Sequence, residues 1–189
     1  MKKTTFILLA SFILFSCKNN NNAPNVSNIN VDIKLERFDR DFFAIDTNNI
    51  LPGLNQLNAK YPVATPIFLQ FVLGVDSANM IYGVKNFLSL SNGLYDTVNT
   101  VFKTTDGLEK DFKKAFQYVK YYFPKYQVPK IVTIAGPVDA LAQSDSGPTP
   151  DFLRPGLLGI SLQFYLGKDF SVYNDPFFIE SVAPSYRSR

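Results

Sequence analysis

The sequence predicts an α+β fold in which a helix-rich front half packs on a small β-sheet. An amphipathic pattern of helical period covers residues 106–122, and two short β-branched or apolar runs, at 130–135 and 157–165, are bounded by proline and glycine. The 18 Phe and 10 Tyr side chains supply enough apolar surface for one core. We therefore expect a single α+β domain over residues 31–189.

The front half is predicted to begin with a strand and to continue in short helices. Apolar and polar side chains alternate over residues 31–36, which indicates a half-buried strand, and residues 39–45 indicate a short helix. Proline, glycine and capping residues then delimit helices at 49–61, 67–73, 80–90 and 95–102. We expect Asn92 and Gly93 to separate the last two of these helices.

The longest predicted helix spans residues 106–122 and is ended by Pro124. Its apolar side chains recur at helical spacing, and we expect this stripe to be buried in the core: Leu108, Phe112, Ala115, Phe116, Val119, Tyr122 and Phe123. Glu109 in the first turn favours the positive end of the helix dipole.

Residues 130–135 and 157–165 are predicted strands, and the second, being more apolar, is expected to be central in the sheet. The chain between them, residues 138–156, is rich in proline and glycine and predicts a long loop. Asp139, Asp145 and Asp151 in this loop could bind a calcium ion through their carboxylates. Their spacing differs from that of an EF-hand loop, so ordinary surface acids are the simpler interpretation.

The N-terminus has the features of a secretory signal. Lys2 and Lys3 precede an apolar run at residues 6–15, which is too short to span a bilayer. The next residues, ending at Cys17, resemble the lipobox of bacterial lipoproteins, with Leu14 three positions before the cysteine. We expect residues 1–16 to be removed as a signal peptide; an ordinary signal peptide with an incidental cysteine is the alternative.

The lipobox resemblance implies that acyl chains, including palmitate-type ester-linked chains, are attached to Cys17. Two or more such chains give stable membrane anchoring. Residues 17–30 are then the lipidated cysteine and an Asn-rich tether, which we expect to be flexible. Lys18 and the asparagines after it lack the acids of some surface-export signals, so we expect the outer membrane, on its periplasmic face.

Composition and charge limit the chemistry. Residues 1–16 hold two of the 19 basic residues and none of the 16 acidic ones, so the processed chain is nearly neutral and we expect no nucleic-acid partner. The sequence has no histidine and a single cysteine, which excludes His-based triads and HExxH zinc sites within it. We expect no catalytic residue, no metal and no cofactor in residues 1–189.

Several stretches resemble the gliding motility-associated lipoprotein GldB family of Bacteroidetes. They lie at residues 33–43, 60–74, 112–126, 128–136 and 159–173, and the last is the most characteristic. The positions that match the family pattern are Tyr165, Leu166, Gly167, Lys168, Tyr186 and Arg187. A structural role for them is also consistent with the sequence: a bend at Gly167, a core position for Tyr165 and ion pairs for the two basic side chains.

The resemblance implies a cell-envelope lipoprotein that supports gliding motility and type IX secretion machinery as a non-enzymatic binding or scaffold component, with envelope proteins as partners. The family is distantly similar to zincin-type domains, so the N-terminal part of a lipid-anchored metallopeptidase is the alternative. Its metal-binding helix would lie beyond residue 189, and the domain would be incomplete at its C-terminus. In that case we expect an exposed apolar face at residues 157–165 and 177–178.

Overall fold

The computed structural model describes residues 23–140, 142–144, 147–149 and 151–181. Its strands, in chain order, are β1 (Leu35–Glu36), β2 (Lys130–Ile134), β3 (Ala142–Ser144), β4 (Gly147–Thr149), β5 (Phe152–Arg154) and β6 (Leu157–Ser161). The main sheet has the order β1-β2-β6-β5, in which β1, β2 and β6 are parallel and β5 is antiparallel to β6. Strands β3 and β4 form a separate hairpin.

Helices fill most of the chain before β2. They are α1 (Phe38–Phe43), α2 (Ile50–Lys60), α3 (Ala64–Ile67), α4 (Met80–Leu90), α5 (Asn92–Val101) and α6 (Asp106–Tyr122), and α7 (Pro176–Ser181) follows the sheet. Helix α3 continues as a π-helical turn at Phe68–Val72, and 3₁₀ turns lie at Leu162–Phe164 and Ser171–Asn174. The mixed helix and sheet content confirms the predicted α+β class.

The sheet separates two hydrophobic clusters. Successive side chains of a strand point to opposite faces, so Val132 and Ile134 of β2 pack in one cluster and Ile131 in the other. The first cluster joins the sheet to α1–α4. The second joins it to α5, α6, α7 and the chain before β1.

Close packing between β5 and β6 requires a glycine. Phe152 of β5 lies directly opposite Gly159 of β6, and its ring covers that glycine. A Cβ atom at position 159 would lie 2.2 Å from ring carbons of Phe152, well inside van der Waals contact. The glycine therefore lets the aromatic ring lie flat against the central strand and fill the first cluster.

The element boundaries agree best for α4 and α6, whose residues are those predicted, and for β2, which ends one residue early. Strand β6 is an inner strand of the sheet, as predicted. The predicted strand at 157–165 ends at Ser161, because the chain turns into a 3₁₀ helix there. Asn92 and Gly93 do not break a helix but form the first turn of α5. The long loop at 138–156 contains β3, β4 and β5 instead of remaining irregular.

Residues before β1 differ from the prediction in both pairing and packing. Only Leu35 and Glu36 pair with β2. This part of the chain also contacts α6, since Gln117 Nε2 donates to the Ile29 carbonyl and the Leu35 N–H donates to Glu109. Val26 is buried. The segment predicted as a tether up to residue 30 therefore packs on the domain from Val26 onward.

The prediction of an exposed face at residues 157–165 and 177–178 is wrong for the side chains that the structure describes, which do not include that of Phe177. Leu157 and Ile160 of β6 are buried between the two layers, and Phe178 of α7 is buried against the ring of Tyr173. The apolar surface that the structure does leave exposed lies elsewhere. In the α6 stripe, Ala115, Tyr122 and Phe123 are exposed although the sequence pattern predicts them to be buried. Leu108, Phe112 and Val119 are half-buried, and Phe116 is buried.

Candidate functional site

The three parallel strands end at the same edge of the sheet, which is where open α/β sheets bind ligands. At this edge β1 leads to Arg37–Asp39, β2 leads to residues 136–139, and β6 leads to the 3₁₀ turn Leu162–Phe164. Polar and apolar groups from distant parts of the sequence therefore meet at the carboxyl edge of the sheet. This edge is the candidate site.

A groove of about 850 Å³ lies between the chain that leaves β2 and the junction of α4 with α5. On one side it is bordered by Pro137, Val138 and Asp139, together with the segment 170–172. Residues from the end of the π-helical turn, α4 and α5 form the other side, and most of their side chains are apolar: Leu73, Val75, Phe87, Leu90 and Leu94, with Asn86, Ser91 and Thr97 among them.

The groove has the size of a binding cleft and the composition of an apolar recognition surface. Leu90, on its rim, is 77% exposed. Asp139 is the one ionisable side chain among the described residues that line it. This lining can bind apolar side chains of a partner, and it offers no pair of groups for proton transfer.

The chain just after β1 carries a buried carboxylate, Asp39, whose two oxygens both accept hydrogen bonds. Asp39 is 1% exposed and accepts two hydrogen bonds from Arg37, from Nε at 2.9 Å and from Nη2 at 2.6 Å. The Thr133 hydroxyl of β2 donates a third at 2.5 Å. Arg37 also donates to the Phe102 carbonyl at the end of α5. This network fixes β1 and α1 against β2 and α5.

A second charged group lies on the outer surface of α1. Asp41 Oδ2 accepts hydrogen bonds from Lys60 Nζ and from the Tyr61 hydroxyl, both at 2.5 Å. Partial burial raises the pKa of Asp41, but the hydrogen bonds from Lys60 and Tyr61 outweigh it, so that the pKa lies below its ordinary value. Burial and the bond to Asp41 raise the pKa of Tyr61 to about 12. The group connects α1 to the end of α2.

The residues that match the family pattern form the corner after β6. The Tyr165 hydroxyl donates to Asp151 Oδ2 at 2.5 Å, and Asp151 Oδ1 accepts the Ser161 N–H. Gly167 has φ +89°, a conformation that favours glycine. Leu166 is buried, and Lys168 is exposed and pairs with Asp169. Cys17, Tyr186 and Arg187 lie outside the described residues.

Tyr173 holds this corner in place and is not among the residues that the sequence singles out. It is completely buried, and its hydroxyl donates to the Gln163 carbonyl at 2.5 Å and accepts the Leu166 N–H at 3.2 Å. Burial raises its pKa, which keeps the hydroxyl protonated as the donor that the corner requires. No sequence pattern predicts it, because both of its partners are backbone groups.

Gln163 is the least satisfied side chain at the carboxyl edge. It is fully buried, and neither its Oε1 nor its Nε2 has a hydrogen-bond partner among the described residues. A Cβ atom at Gly136 would lie 3.5 Å from Nε2, so the amide lies against the chain that leaves β2. A buried amide without partners costs about 1–3 kcal/mol.

The predicted calcium ligands are not brought together as a described cluster. Asp139 lies in the groove, Asp151 is hydrogen-bonded to Tyr165 and Ser161, and Asp145 lies outside the described residues. Within the parts of the chain that the structure describes, no three Asp, Glu or Cys side chains are placed to hold a metal ion. Nor does any helix in those parts have the length and apolarity to cross a membrane.

The family model for "Gliding motility protein GldB" matches residues 19–189. The chain belongs to the GldB family. The match confirms the resemblance drawn from the sequence stretches above and places the chain among gliding motility proteins. Comparison with curated proteins finds no match, and comparison with solved structures finds none either. The groove, the Asp39 network and the corner at Tyr165 all lie within the part matched to GldB.

Proposed function

We infer that this GldB-family chain is a lipid-anchored, non-enzymatic binding component of the gliding and type IX secretion apparatus. Family membership supports the link to gliding, and the family's designation as lipoproteins agrees with the lipobox at Cys17. The absence of acids directly after Cys17 supports the periplasmic face of the outer membrane. The chain there binds an envelope protein of the same apparatus.

The chemistry of the edge supports binding and not catalysis. The sequence has no histidine, and its one cysteine is the predicted site of acylation. The buried acid Asp39 is committed to Arg37 and Thr133, and Asp151 is committed to Tyr165 and a backbone amide. These acids hold elements together and are not positioned toward the groove.

The observation that carries the proposal is the apolar groove between β2 and the α4–α5 junction. Apolar side chains that remain accessible in a concave surface mark interaction sites. Its occupant is a segment of a protein partner that presents large apolar side chains. Asp139, Asn86 and Thr97 in the lining provide the polar contacts that orient such a segment.

Two glutamate substitutions in α4 test the proposal. Leu90 and Ile81 are both well exposed, but only Leu90 lines the groove. The two residues are nine positions apart, and nine steps of about 100° place them about 180° apart around the helix, so they lie on opposite faces. Leu90→Glu puts a charge into the groove, and Ile81→Glu is the matched control with the same change in charge.

The measurement is colony spreading of a gliding bacterium that lacks its own GldB protein and expresses either variant. We expect Leu90→Glu to abolish spreading at wild-type protein abundance, and Ile81→Glu to restore it. Equal spreading by both variants would contradict the groove as the binding site. If a small lipid occupied the groove instead of a protein, Leu90→Glu would change the lipids recovered with the purified chain.

The alternative function is that of the N-terminal part of a zincin-like peptidase. It assigns no catalytic or metal-binding role to any of residues 1–189. None of the described geometry favours it over the binding role. An HExxH helix downstream in the reading frame would be the observation that supports it.

A further inference from the structure

The C-terminal end of α6 carries an exposed group of aromatic and basic side chains. In this aromatic end of α6, defined as residues 120–126, Tyr122 is 62% and Phe123 is 66% exposed, and Tyr121 and Tyr126 are also exposed. The rings of Tyr121 and Tyr122 contact each other edge to face, with centroids 5.0 Å apart. The aromatic end therefore presents a continuous amphipathic surface beyond the buried part of the helix.

The sequence around this surface carries charge of one sign. Residues 112–138 contain no acidic residue, and their basic residues are Lys113, Lys114, Lys120, Lys125 and Lys130. Tyrosine with lysine is the composition that proteins use at a membrane–water interface, where rings lie at the level of the headgroups and lysine stems extend to the phosphates. Lysines near an anionic membrane surface are attracted to it.

Two hydrogen bonds show where the anchored end of the chain reaches the domain. The Leu35 N–H donates to Glu109 near the start of α6, and Gln117 near its end donates to the Ile29 carbonyl. The segment 29–35 therefore runs antiparallel to α6. Ile29 therefore lies at the C-terminal half of the helix, on the side of the aromatic end.

The chain between the lipid and the domain is short. Cys17 precedes Ala23, the first described residue, by six positions, which is at most about 22 Å of extended chain. A domain of this size has a radius of gyration of about 15 Å. The side of the domain that holds Ala23 cannot face directly away from the bilayer, because the six-position link from Cys17 to Ala23 is shorter than the domain is wide.

From these observations we propose that the aromatic end of α6 is a second membrane contact, which lies in the headgroup region of the bilayer that holds the lipid. The proposal rests on the anchor at Cys17 inferred above. The contact orients the domain: α6 and the second hydrophobic cluster lie toward the membrane, and α1–α4, on the other face of the sheet, point away from it. The partner of this surface is an anionic phospholipid bilayer.

Because the sequence contains no tryptophan, a single substitution gives a unique fluorescent reporter. Phe123→Trp reports on the aromatic end of α6. Phe71→Trp is the matched control, since Phe71 is 67% exposed and lies in the π-helical turn of the opposite layer. The chain from Cys17 to Arg189, which contains every described residue, is coupled through its one cysteine to a maleimide lipid in phosphatidylethanolamine–phosphatidylglycerol vesicles.

Quenching by brominated phospholipid is then measured for both variants. We expect the emission of Phe123→Trp to shift to the blue and to fall about two-fold, since interfacial rings lie about 5–10 Å into the headgroup boundary. The emission of Phe71→Trp stays unchanged. Loss of the effect when Lys120 and Lys125 are both replaced by glutamine supports the contribution of the lysines.

No quenching at either position would overturn the proposal, and so would equal quenching at both. A surface that binds a protein instead of lipid would also leave Phe123→Trp unquenched in these vesicles. Chemical coupling makes the result independent of acylation in the cell. Failure of the proposed anchor is read separately, from the membrane fraction of a Cys17→Ala strain.

Discussion

Replacing Asp39 by asparagine should destabilise the domain strongly while leaving its shape unchanged. The carboxylate side chain is 0% exposed and the Arg37 side chain is 13% exposed, so both charges of this ion pair are largely removed from water. Removing one partner of a buried pair leaves an uncompensated charge, which costs about 3–5 kcal/mol. That loss is a large fraction of the about 5–15 kcal/mol by which domains are usually stable.

Asp41→Asn provides a control in the same helix. Its carboxylate is 39% exposed and its partner Lys60 is 61% exposed, so solvent screens the pair and we expect a loss under about 1 kcal/mol. The double variant Arg37→Met/Asp39→Leu removes both buried charges together. It should recover most of the stability lost in Asp39→Asn, because well-packed apolar groups commonly replace a buried pair at little cost.

Urea unfolding of the purified chain measures all three variants, with stability taken from the midpoint at constant slope. The reasoning would be refuted if Asp39→Asn and Asp41→Asn lost the same small amount. It would also be refuted if the double variant were less stable than Asp39→Asn, since the cost would then come from lost packing and not from an unpaired charge.

Three further predictions concern other parts of the structure. Phe116→Ala should lower the free energy of unfolding by about 3–5 kcal/mol, because Phe116 is buried at 8% exposure. Phe112 is half-buried, so Phe112→Ala should cost less, and the exposed Lys113→Ala should cost under about 0.5 kcal/mol. Equal losses in urea unfolding would show that the stripe is not part of the core. The stability difference between wild type and Asp41→Asn should be present above pH 3.8 and disappear as the pH falls through the lower pKa that Asp41 has in the folded state. The reason is that the folded state stabilises the ionised carboxylate, which lowers its pKa. A stability difference that grows in acid would contradict the assignment. Gln163→Met removes two unpaired polar atoms from the core and should leave stability unchanged or raise it by about 1 kcal/mol; a loss above about 2 kcal/mol would mean that the amide has a partner in solution.

Local patterns were sufficient where one helix or strand packs on one surface. The spacing of Phe112, Phe116 and Val119 predicted α6 to its residues, and the flanking prolines and glycines located β2 and β6. The same stripe overestimated burial at Tyr122 and Phe123, because periodicity shows which face of a helix is apolar but not where the neighbouring layer ends. The place where the neighbouring layer ends depends on the whole sheet, and the sequence of one helix does not predict it.

The candidate site depended almost entirely on contacts between distant residues. Asp39 and Thr133 are 94 positions apart, and nothing near Asp39 in the sequence distinguishes it from the exposed acids around it. The groove combines the end of β2 with the junction of α4 and α5, where Asn92 and Gly93 start a helix against their intrinsic preference. The prediction of lipidation at Cys17 needs no contact between distant residues, because the lipobox pattern consists of residues adjacent to the cysteine.

Colony spreading of cells that carry Cys17→Ala tests the central claim most directly. The strain lacks its own GldB protein and expresses either the wild-type chain or Cys17→Ala, with abundance and membrane fraction determined by immunoblot. If the chain acts in gliding while it is held to the membrane through this cysteine, the wild type restores spreading. The variant is then lost from the membrane fraction or stalls as an uncleaved precursor, and the colonies do not spread. Full spreading with the variant absent from the membrane would contradict the account.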